Sequence, residues 1–271
     1  MTLKRKRQAA KKKKVKDAVH EEQPAETVKS ISPREATTIV WLVSASASSI
    51  NTLGTTCQMQ IGNTAGWGPN VMIAQISGGP SQYVVDSLAN VWTPLAGPYT
   101  HTDSYSQFWF ICQGAAINLT AANHTFWVGG PSGAPSMTIV LLRSYTIPLP
   151  LVDVQVAQAV EGGLVSGGAL TLSGIAALPE ANPSAIDSGF TLAERRPGAS
   201  GQAFGIGLAY KFAPGPTNPV WTVDWSIPLV SNLSLGIAPE PPQPNGNGRK
   251  RQAVGILSSM DDTHVFNSSM G

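Results

Sequence analysis

The chain has 271 residues, of which 42% are hydrophobic and 13% charged, and its formal net charge at pH 7 is +2. This composition excludes a wholly disordered chain, and the length allows one large β domain or two small ones. The small net charge conceals a strong segregation, because half of the 18 basic residues lie within the first sixteen positions.

The first sixteen residues contain a basic cluster without a single acid. Its members are Lys4, Arg5, Lys6, Arg7, Lys11, Lys12, Lys13, Lys14 and Lys16. Like charges repel one another, and no large apolar side chain is available for burial, so residues 1–35 are predicted to be a disordered basic arm with a polar spacer. Nucleic acid is the favoured partner, although a nuclear localisation signal, a membrane-surface patch or a solubilising tail would have a similar composition.

The folded part is predicted to begin at the β-branched run Thr37 to Ser44. This run and Ala45-Ser46-Ala47 also resemble a signal-peptide core with its cleavage site. The match is poor, because the apolar core is short and a long segment containing acids precedes it. We therefore expect no secretion through this segment.

Further strand patterns recur at short spacing along the chain, separated by Gly, Pro and Asn turn signals. The predicted strands are Thr56 to Ile61, Val71 to Ile76, Gln82 to Asp86, Tyr105 to Cys112, Thr125 to Val128, Ser136 to Tyr145, Leu151 to Gln158, Ala169 to Ile175, Ala203 to Phe212 and Val220 to Trp225. Helical periodicity is weak and confined to two short stretches, residues 86–91 and 154–161. The pattern predicts an all-β fold over residues 36–238, a two-sheet antiparallel sandwich, and favours a jelly roll.

Two long stretches of the body carry almost no formal charge, the first between Glu35 and Asp86 and the second between Asp103 and Arg143. A soluble monomer rarely presents so few charges, so the surface is expected to be covered by further copies of the chain or by glycans. Polar residues interrupt every apolar run, and no membrane insertion is predicted.

Residues 239–271 are predicted to form a Pro/Asn/Gly-rich linker and a polar C-terminal tail. Within it, Arg249, Lys250 and Arg251 with Gln252-Ala253 repeat the sequence of residues 5–9. The repeat is either a second contact for a polyanion or a coincidence in a basic context. A nicking site for proteases is a third interpretation.

Motifs for catalysis are scarce, and the chain is not predicted to be an enzyme. Cys57 and Cys112 lack the spacing of a zinc or redox site and are interpreted as buried thiols in preference to a disulfide. Ile186-Asp187-Ser188-Gly189 resembles an aspartic-peptidase loop, but a turn in a β protein explains it better. Four Asn-X-Ser/Thr sequons begin at Asn118, Asn123, Asn232 and Asn267.

The overall plan resembles the coat proteins of small icosahedral viruses, chiefly positive-strand RNA viruses: a basic arm, a spacer and then a low-charge β domain. The resemblance covers the architecture up to about residue 236 and includes no family-specific motif. It implies a jelly-roll shell that assembles with copies of itself into an icosahedral particle, and an arm that lies on the packaged genome, for which single-stranded RNA is favoured.

The resemblance also implies assembly in the host cytoplasm, a location in the virion, and a host receptor that the sequence does not identify. Related shells often hold calcium between subunits, but the acids here are too dispersed to nominate metal ligands, so no cofactor is predicted. The alternative hypothesis is a secreted β-sandwich glycoprotein or glycan-binding protein.

Overall fold

The computed structural model describes residues 36–48, 55–103, 105–130, 133–178, 182–187, 189–197, 204–224 and 227–238. These residues form antiparallel strands and a single short helix, α1 (Thr64–Trp67). The predicted all-β antiparallel sandwich is therefore confirmed. Among the described residues, no helix has the length and apolar character needed to cross a membrane.

The first part of the described chain contains eight strands. They are β1 (Ile39–Ser48), β2 (Thr56–Gly62), β3 (Val71–Gly78), β4 (Tyr83–Asp86), β5 (Thr93–Thr100), β6 (Ser106–Gln113), β7 (Asn123–Gly129) and β8 (Ser136–Ser144). Seven strands follow in the second part. They are β9 (Leu151–Ala157), β10 (Leu170–Ala177), β11 (Pro183–Ile186), β12 (Thr191–Arg196), β13 (Gly205–Phe212), β14 (Trp221–Val223) and β15 (Leu229–Leu235).

The strands form four sheets, where the sequence pattern predicted two. The first half of the chain builds sheet I, in the order β1-β8-β3-β6-β5, and sheet II, in the order β2-β7-β4. The second half builds sheet III, in the order β12-β13-β10-β15-β9, and sheet IV, which consists of β11 and β14. Each half of the chain thus contributes one five-stranded sheet and one smaller sheet.

Sheet I is covered on both faces. Met72, Ala74 and Ile76 of β3 pack with side chains of sheet II, whereas Val71 and Ile73 of the same strand pack with sheet III. Alternate residues of a strand point to opposite faces, so a strand covered on both sides needs apolar residues at nearly every position. All eight residues of β3 are buried accordingly.

Sheet III is also covered on both faces. Leu172 of β10 and Leu208 of β13 face sheet I, and both are fully buried. On the other face, Ile175 and Ala209 pack with Trp221 of sheet IV. The four sheets therefore lie in the order II, I, III, IV, with one apolar cluster between each pair of layers.

All eleven predicted strands are present, with ends displaced by a few residues, and four strands were missed: β5, β11, β12 and β15. β5 contains Pro94 and Pro98, which argue against a strand interior, and it lies at the edge of sheet I where proline is tolerated. The possible short helix over residues 154–161 is not formed, because residues up to 157 belong to β9, as the strand pattern predicted. Residues 86–91 contain the end of β4 and a turn in place of the other short helix.

Side chains of sheet I pack directly against the backbone of sheet III at Gly174 of β10. A Cβ atom at this position would lie 2.3 Å from Cζ2 of Trp109 and 2.7 Å from Nε2 of Gln75. Both neighbours are held in place, because Trp109 Nε1 donates to Ser231 Oγ at 2.8 Å and Gln75 Nε2 donates to the Ile175 carbonyl at 3.1 Å. The absence of a side chain at residue 174 is thus a condition for the contact between the two halves.

We predict that Gly174→Ala lowers the free energy of unfolding by about 1–3 kcal/mol, because the added methyl group overpacks the interface between the sheets. Gly215→Ala is the matched control, since a Cβ at residue 215 would have nothing within 4 Å. Urea unfolding followed by tryptophan fluorescence measures both variants. Equal stability of the two variants would contradict the described packing of Trp109.

Candidate assembly surface and nucleic-acid segments

The basic residues predicted to bind nucleic acid lie outside the described residues. This applies to all nine members of the arm cluster, from Lys4 to Lys16, and to Arg249, Lys250 and Arg251 of the tail. Their predicted role therefore stays a prediction. What the structure adds is the body from which these segments extend, and in particular the distribution of charge on that body.

Charge is distributed very unequally over the two halves of the body. Residues 36–150 contain only three side chains of Asp, Glu, Lys or Arg, namely Asp86, Asp103 and Arg143. Asp86 is buried, so the exposed charged side chains among the described residues of this half are Asp103 and Arg143. The described residues of the second half include Asp153, Glu161, Asp187, Glu194, Arg195, Arg196, Lys211 and Asp224. The first half is thus nearly free of surface charge.

Two charged side chains of the second half form hydrogen bonds with the first half. The Glu194 carboxylate in β12 accepts hydrogen bonds from Ser44 Oγ at 2.9 Å and from Ser46 Oγ at 3.0 Å, both in β1. Arg196 of the same strand donates to the Ser46 carbonyl at 2.9 Å. These contacts connect the edge strand of sheet III to the edge strand of sheet I.

The first half exposes large apolar side chains despite its lack of charge. They are Val40, Trp67, Tyr83, Val85, Val91, Tyr145 and Ile147. Single exposed apolar residues are common on soluble proteins, but here the residues between them are neutral as well. A surface of this kind is suited to contact with another protein surface of low charge.

The outer face of sheet II is the most regular part of this neutral surface. Tyr83 lies over Gly129, where a Cβ would come within 2.6 Å of the tyrosine oxygen. Trp127 Nε1 donates to Gln58 Oε1 at 2.9 Å, and Val85 is paired with Trp127 across the strands. Aromatic and amide groups therefore cover the three strands without any charged side chain.

A buried polar cluster supports sheet II from within. His124 Nε2 lies 3.2 Å from Asp86 Oδ1, and both side chains are fully inaccessible. The two groups are not aligned for a hydrogen bond, so the pair forms a close polar contact. Asp86 also accepts from Trp92 Nε1 at 2.7 Å and from the Leu88 backbone N–H at 2.9 Å. His124 Nδ1 lies 3.3 Å from Thr64 Oγ1.

Two opposing effects determine the pKa of Asp86. Burial alone would raise the pKa of this carboxyl group, because it disfavours the charged form. The contacts with His124, Trp92 and the backbone N–H groups of Leu88 and Asn90 favour the carboxylate, and together they hold the pKa below its ordinary value of 3.8. No local sequence pattern indicates this cluster, because its members come from three separate segments of the chain: residue 64, residues 86–92 and residue 124.

Both cysteines are buried free thiols, as predicted. They lie in the cluster between sheets I and II. Burial raises the pKa of the Cys57 thiol to about 12 and that of the Cys112 thiol to about 11, where the charge of Asp86 adds to the effect. The unreactive thiol form therefore dominates at neutral pH, and neither residue is suited to nucleophilic chemistry.

The remaining candidate features have structural explanations. Asp187 follows β11, and its carbonyl accepts from the Phe190 backbone N–H at 3.2 Å, whereas its Oδ1 accepts from the distant Val220 backbone N–H at 2.7 Å, which joins the end of β11 to the start of β14. A cleft of about 320 Å³, lined by residues 89–91 and 112–118, contains no charged side chain. Within the described part of the chain, no group of three or more His, Cys, Asp or Glu residues could hold a metal ion.

The sequons differ in their accessibility. Asn232 is fully buried, its Nδ2 donates to the Gly163 carbonyl at 2.8 Å, and its Oδ1 accepts from Ser173 Oγ at 2.7 Å. A glycan cannot be accommodated there in the folded protein. Asn118 and Asn123 are exposed, and Asn267 lies outside the described residues.

No protein-family model, curated protein or solved structure matches this chain.

We predict that Asp86→Asn lowers the free energy of unfolding at about pH 6 by about 2–4 kcal/mol, because it removes a buried carboxylate from its donors. Since the folded-state pKa lies below the unfolded-state value, this stabilisation is complete above pH 3.8 and is lost as the pH falls through the folded-state value. The free energy of unfolding is measured with urea at about pH 6 and at about pH 3. The difference between these two values should be smaller for the variant than for the natural chain.

Asp153→Asn is the control for this pH dependence. The pKa of Asp153 is also lowered, chiefly by the Ser166 backbone N–H, but the carboxylate lies near solvent, which screens its interactions. We expect a much smaller loss of stability for this variant. An Asp86→Asn variant with the same pH dependence as the natural chain would show that the buried contacts do not stabilise the carboxylate.

Proposed function

We propose that the protein is the structural subunit of an icosahedral viral capsid, and that its basic arm binds the packaged nucleic acid, with single-stranded RNA favoured. The body would supply the contacts between subunits. Its location would be the virion, after assembly in the host cytoplasm.

The pairing of the first eight strands is the observation that carries the proposal. When a ribbon of eight strands folds back on itself, strand 1 meets strand 8, strand 2 meets strand 7 and strand 3 meets strand 6. The chain contains each of these antiparallel pairs: β1 with β8, β2 with β7 and β3 with β6. The pairs β3 with β8 and β4 with β7 join them into two sheets. This arrangement supports a jelly roll, the architecture of many viral shells and of lectins.

One pair departs from the folded ribbon. Strand β5 pairs with β6 at the edge of sheet I, where a folded ribbon would place it beside β4. The second half of the chain then adds sheets III and IV on the outer side of sheet I. The jelly-roll hypothesis therefore concerns residues 39–144, and the second half is an additional layered unit within the predicted shell domain.

The neutral surface of the first half supports the assembly part of the proposal. A capsid subunit buries a large share of its surface against copies of itself, and exposed like charges would oppose such contacts. Asp103 and Arg143 are the exposed charges among the described residues of this half. The second half has the charge expected of a surface that stays in solvent.

A glycan-binding protein is the second candidate. The outer face of sheet II combines Trp127 and Tyr83 with the amides of Gln58 and Gln60, and aromatic and amide groups together are suited to neutral sugars. Negative-stain electron microscopy separates the two candidates, because a capsid subunit yields particles of uniform diameter.

We predict that replacing the nine basic residues of the arm by Gln removes co-purified nucleic acid while the body stays folded. Each Lys or Arg that neutralises a phosphate releases a counterion, so nine contacts with a single strand give a log–log salt slope of about −6. The ratio of absorbance at 260 and 280 nm, after size-exclusion chromatography, measures the bound nucleic acid.

The control for this experiment exchanges the five lysines at positions 11–14 and 16 for arginine, which keeps both the length and the charge of the arm. It should retain nucleic acid. A Gln variant that still carries as much nucleic acid as the natural chain would contradict the role of the arm.

We also predict that Val85→Glu combined with Val91→Glu prevents particle formation without unfolding the subunit. The two side chains are 47% and 77% exposed, so the isolated body tolerates charge there, whereas a subunit contact does not. Leu164→Glu with Ile227→Glu is the matched control, because these residues are 62% and 64% exposed in the charged second half. Analytical ultracentrifugation compares the variants, and normal particles from the first variant would locate the subunit contacts elsewhere.

A further inference from the structure

The edges of the four sheets differ in how well they are protected against pairing with another strand. An edge strand leaves one row of backbone N–H and C=O groups unpaired, and proteins usually block such edges with proline, charge, bulges or short length. Each described sheet has two edge strands, and most of them have at least one of these features. β1 and β12 have irregular registers, β5 and β11 contain prolines, β9 contains Asp153, β4 ends at Asp86 after four residues, and β14 has three residues.

β2 is the edge strand of the described sheets that has none of these features. Its seven residues include no proline and no charged side chain. Its register with β7 runs from Thr56 opposite Gly129 to Gly62 opposite Asn123 without a shift. Among the described residues, the backbone of β2 has no hydrogen-bond partner outside β7. One side of β2 is therefore a regular and neutral edge to which another strand can be added.

The sequence of β2 has similar residue types in both directions from its central residue, Met59. An antiparallel contact about a two-fold axis pairs each residue with the one that lies equally far from the centre in the other copy. Core-facing residues then meet core-facing residues, as the alternation of a sheet requires. No charges meet in such a contact. Its pairs are Gln58 with Gln60, Cys57 with Ile61, and Thr56 with Gly62.

We propose that β2 pairs antiparallel with β2 of a second copy of the chain about a two-fold axis at Met59. The two copies of sheet II then form one continuous sheet of six strands. This inference rests on the proposed function, because it assumes that the chain assembles with copies of itself, and it identifies one contact of that assembly.

The exposed amide groups of β2 add polar contacts to this pairing. Gln58 Oε1 accepts from Trp127 Nε1 at 2.9 Å, whereas Gln58 Nε2 has no hydrogen-bond partner among the described residues. Gln60 Oε1 accepts from Asn123 Nδ2 at 3.2 Å and has a second lone pair. Because Gln58 of one copy lies opposite Gln60 of the other, the free Nε2 donor can bind this lone pair on both sides of the axis.

The first test exchanges charge across the proposed pair in the full-length protein. Gln58→Lys with Gln60→Lys places like charges opposite each other on both sides of the axis, and so does Gln58→Glu with Gln60→Glu. We expect each double variant to raise the dissociation constant of the contact about tenfold or more. Co-expression of the two variants should restore association, because each lysine then meets a glutamate. The restored contact should weaken with added salt. Analytical ultracentrifugation measures the association.

The matched control places two lysines on the edge strand of another sheet, by Val152→Lys with Val156→Lys in β9. These side chains are 44% and 39% exposed. This variant should associate as the natural chain does. Co-expressed charged variants that fail to associate, although circular dichroism shows that each is folded, would overturn the pairing.

Disulfide formation tests the register without adding charge. The cysteine of a Gln58→Cys copy lies opposite that of a Gln60→Cys copy, within reach of a disulfide, whereas two copies of the same variant place their cysteines diagonally, about 7–8 Å apart. Co-expression should therefore give several times more cross-linked dimer under mild oxidation than either variant alone. Equal cross-linking in all three samples, or none in the co-expressed pair, would overturn pairing about Met59.

The outcomes separate this inference from the proposed function. Uniform particles from both charged variants, without a cross-link in the co-expressed cysteine pair, would overturn the pairing of β2 and leave the capsid proposal intact. A natural chain that forms only dimers, which the charged variants dissociate, would support the pairing of β2 and overturn the capsid proposal.

Discussion

The burial of sheet I on both faces is the constraint on which the rest of the structure depends. Four of its strands, β1, β3, β6 and β8, contribute alternate residues to two different interfaces, so a charged side chain at most of these positions would be removed from water. β3 illustrates this, with Met72 directed to sheet II and Ile73 to sheet III. The burial of sheet I therefore explains part of the low content of charged residues in the first half. The neutral residues on the outer face of sheet II have no such internal reason.

The contact between sheets I and III is partly polar, and a chain of hydrogen bonds runs through it. Trp109 donates to Ser231 Oγ, which in turn donates to Gln107 Oε1 at 2.7 Å. Between sheets IV and III, Trp221 Nε1 donates to Ser173 Oγ at 2.9 Å, and that hydroxyl donates to Asn232 Oδ1 within sheet III at 2.7 Å. A buried polar group without a partner is costly, so a shifted register between the strands would lose several hydrogen bonds at once. The two halves of the chain are thereby held in one defined arrangement.

The described body and the basic segments of the sequence differ strongly in their content of positive charge. The described body has only four Lys and Arg residues, Arg143, Arg195, Arg196 and Lys211, and the first three donate hydrogen bonds within the body. Lys211 lies 5.8 Å above the centre of the Phe190 ring. Most of the positive charge of the chain therefore lies in the sequence segments outside the described residues, which include the predicted arm and tail.

The sequence by itself determined the all-β class, the location of most strands, the buried thiols and the segregation of charge, because alternation, β-branched runs and turn residues are local signals. It could not reveal β15, whose Ser231, Asn232 and Ser234 look polar until their partners are known. Only the tertiary structure decided that four sheets stack, that Asp86 meets His124, and that residues 37 and 237 touch. Each of these depends on residues far apart in the chain, and no local pattern encodes which distant segment a given side chain will contact.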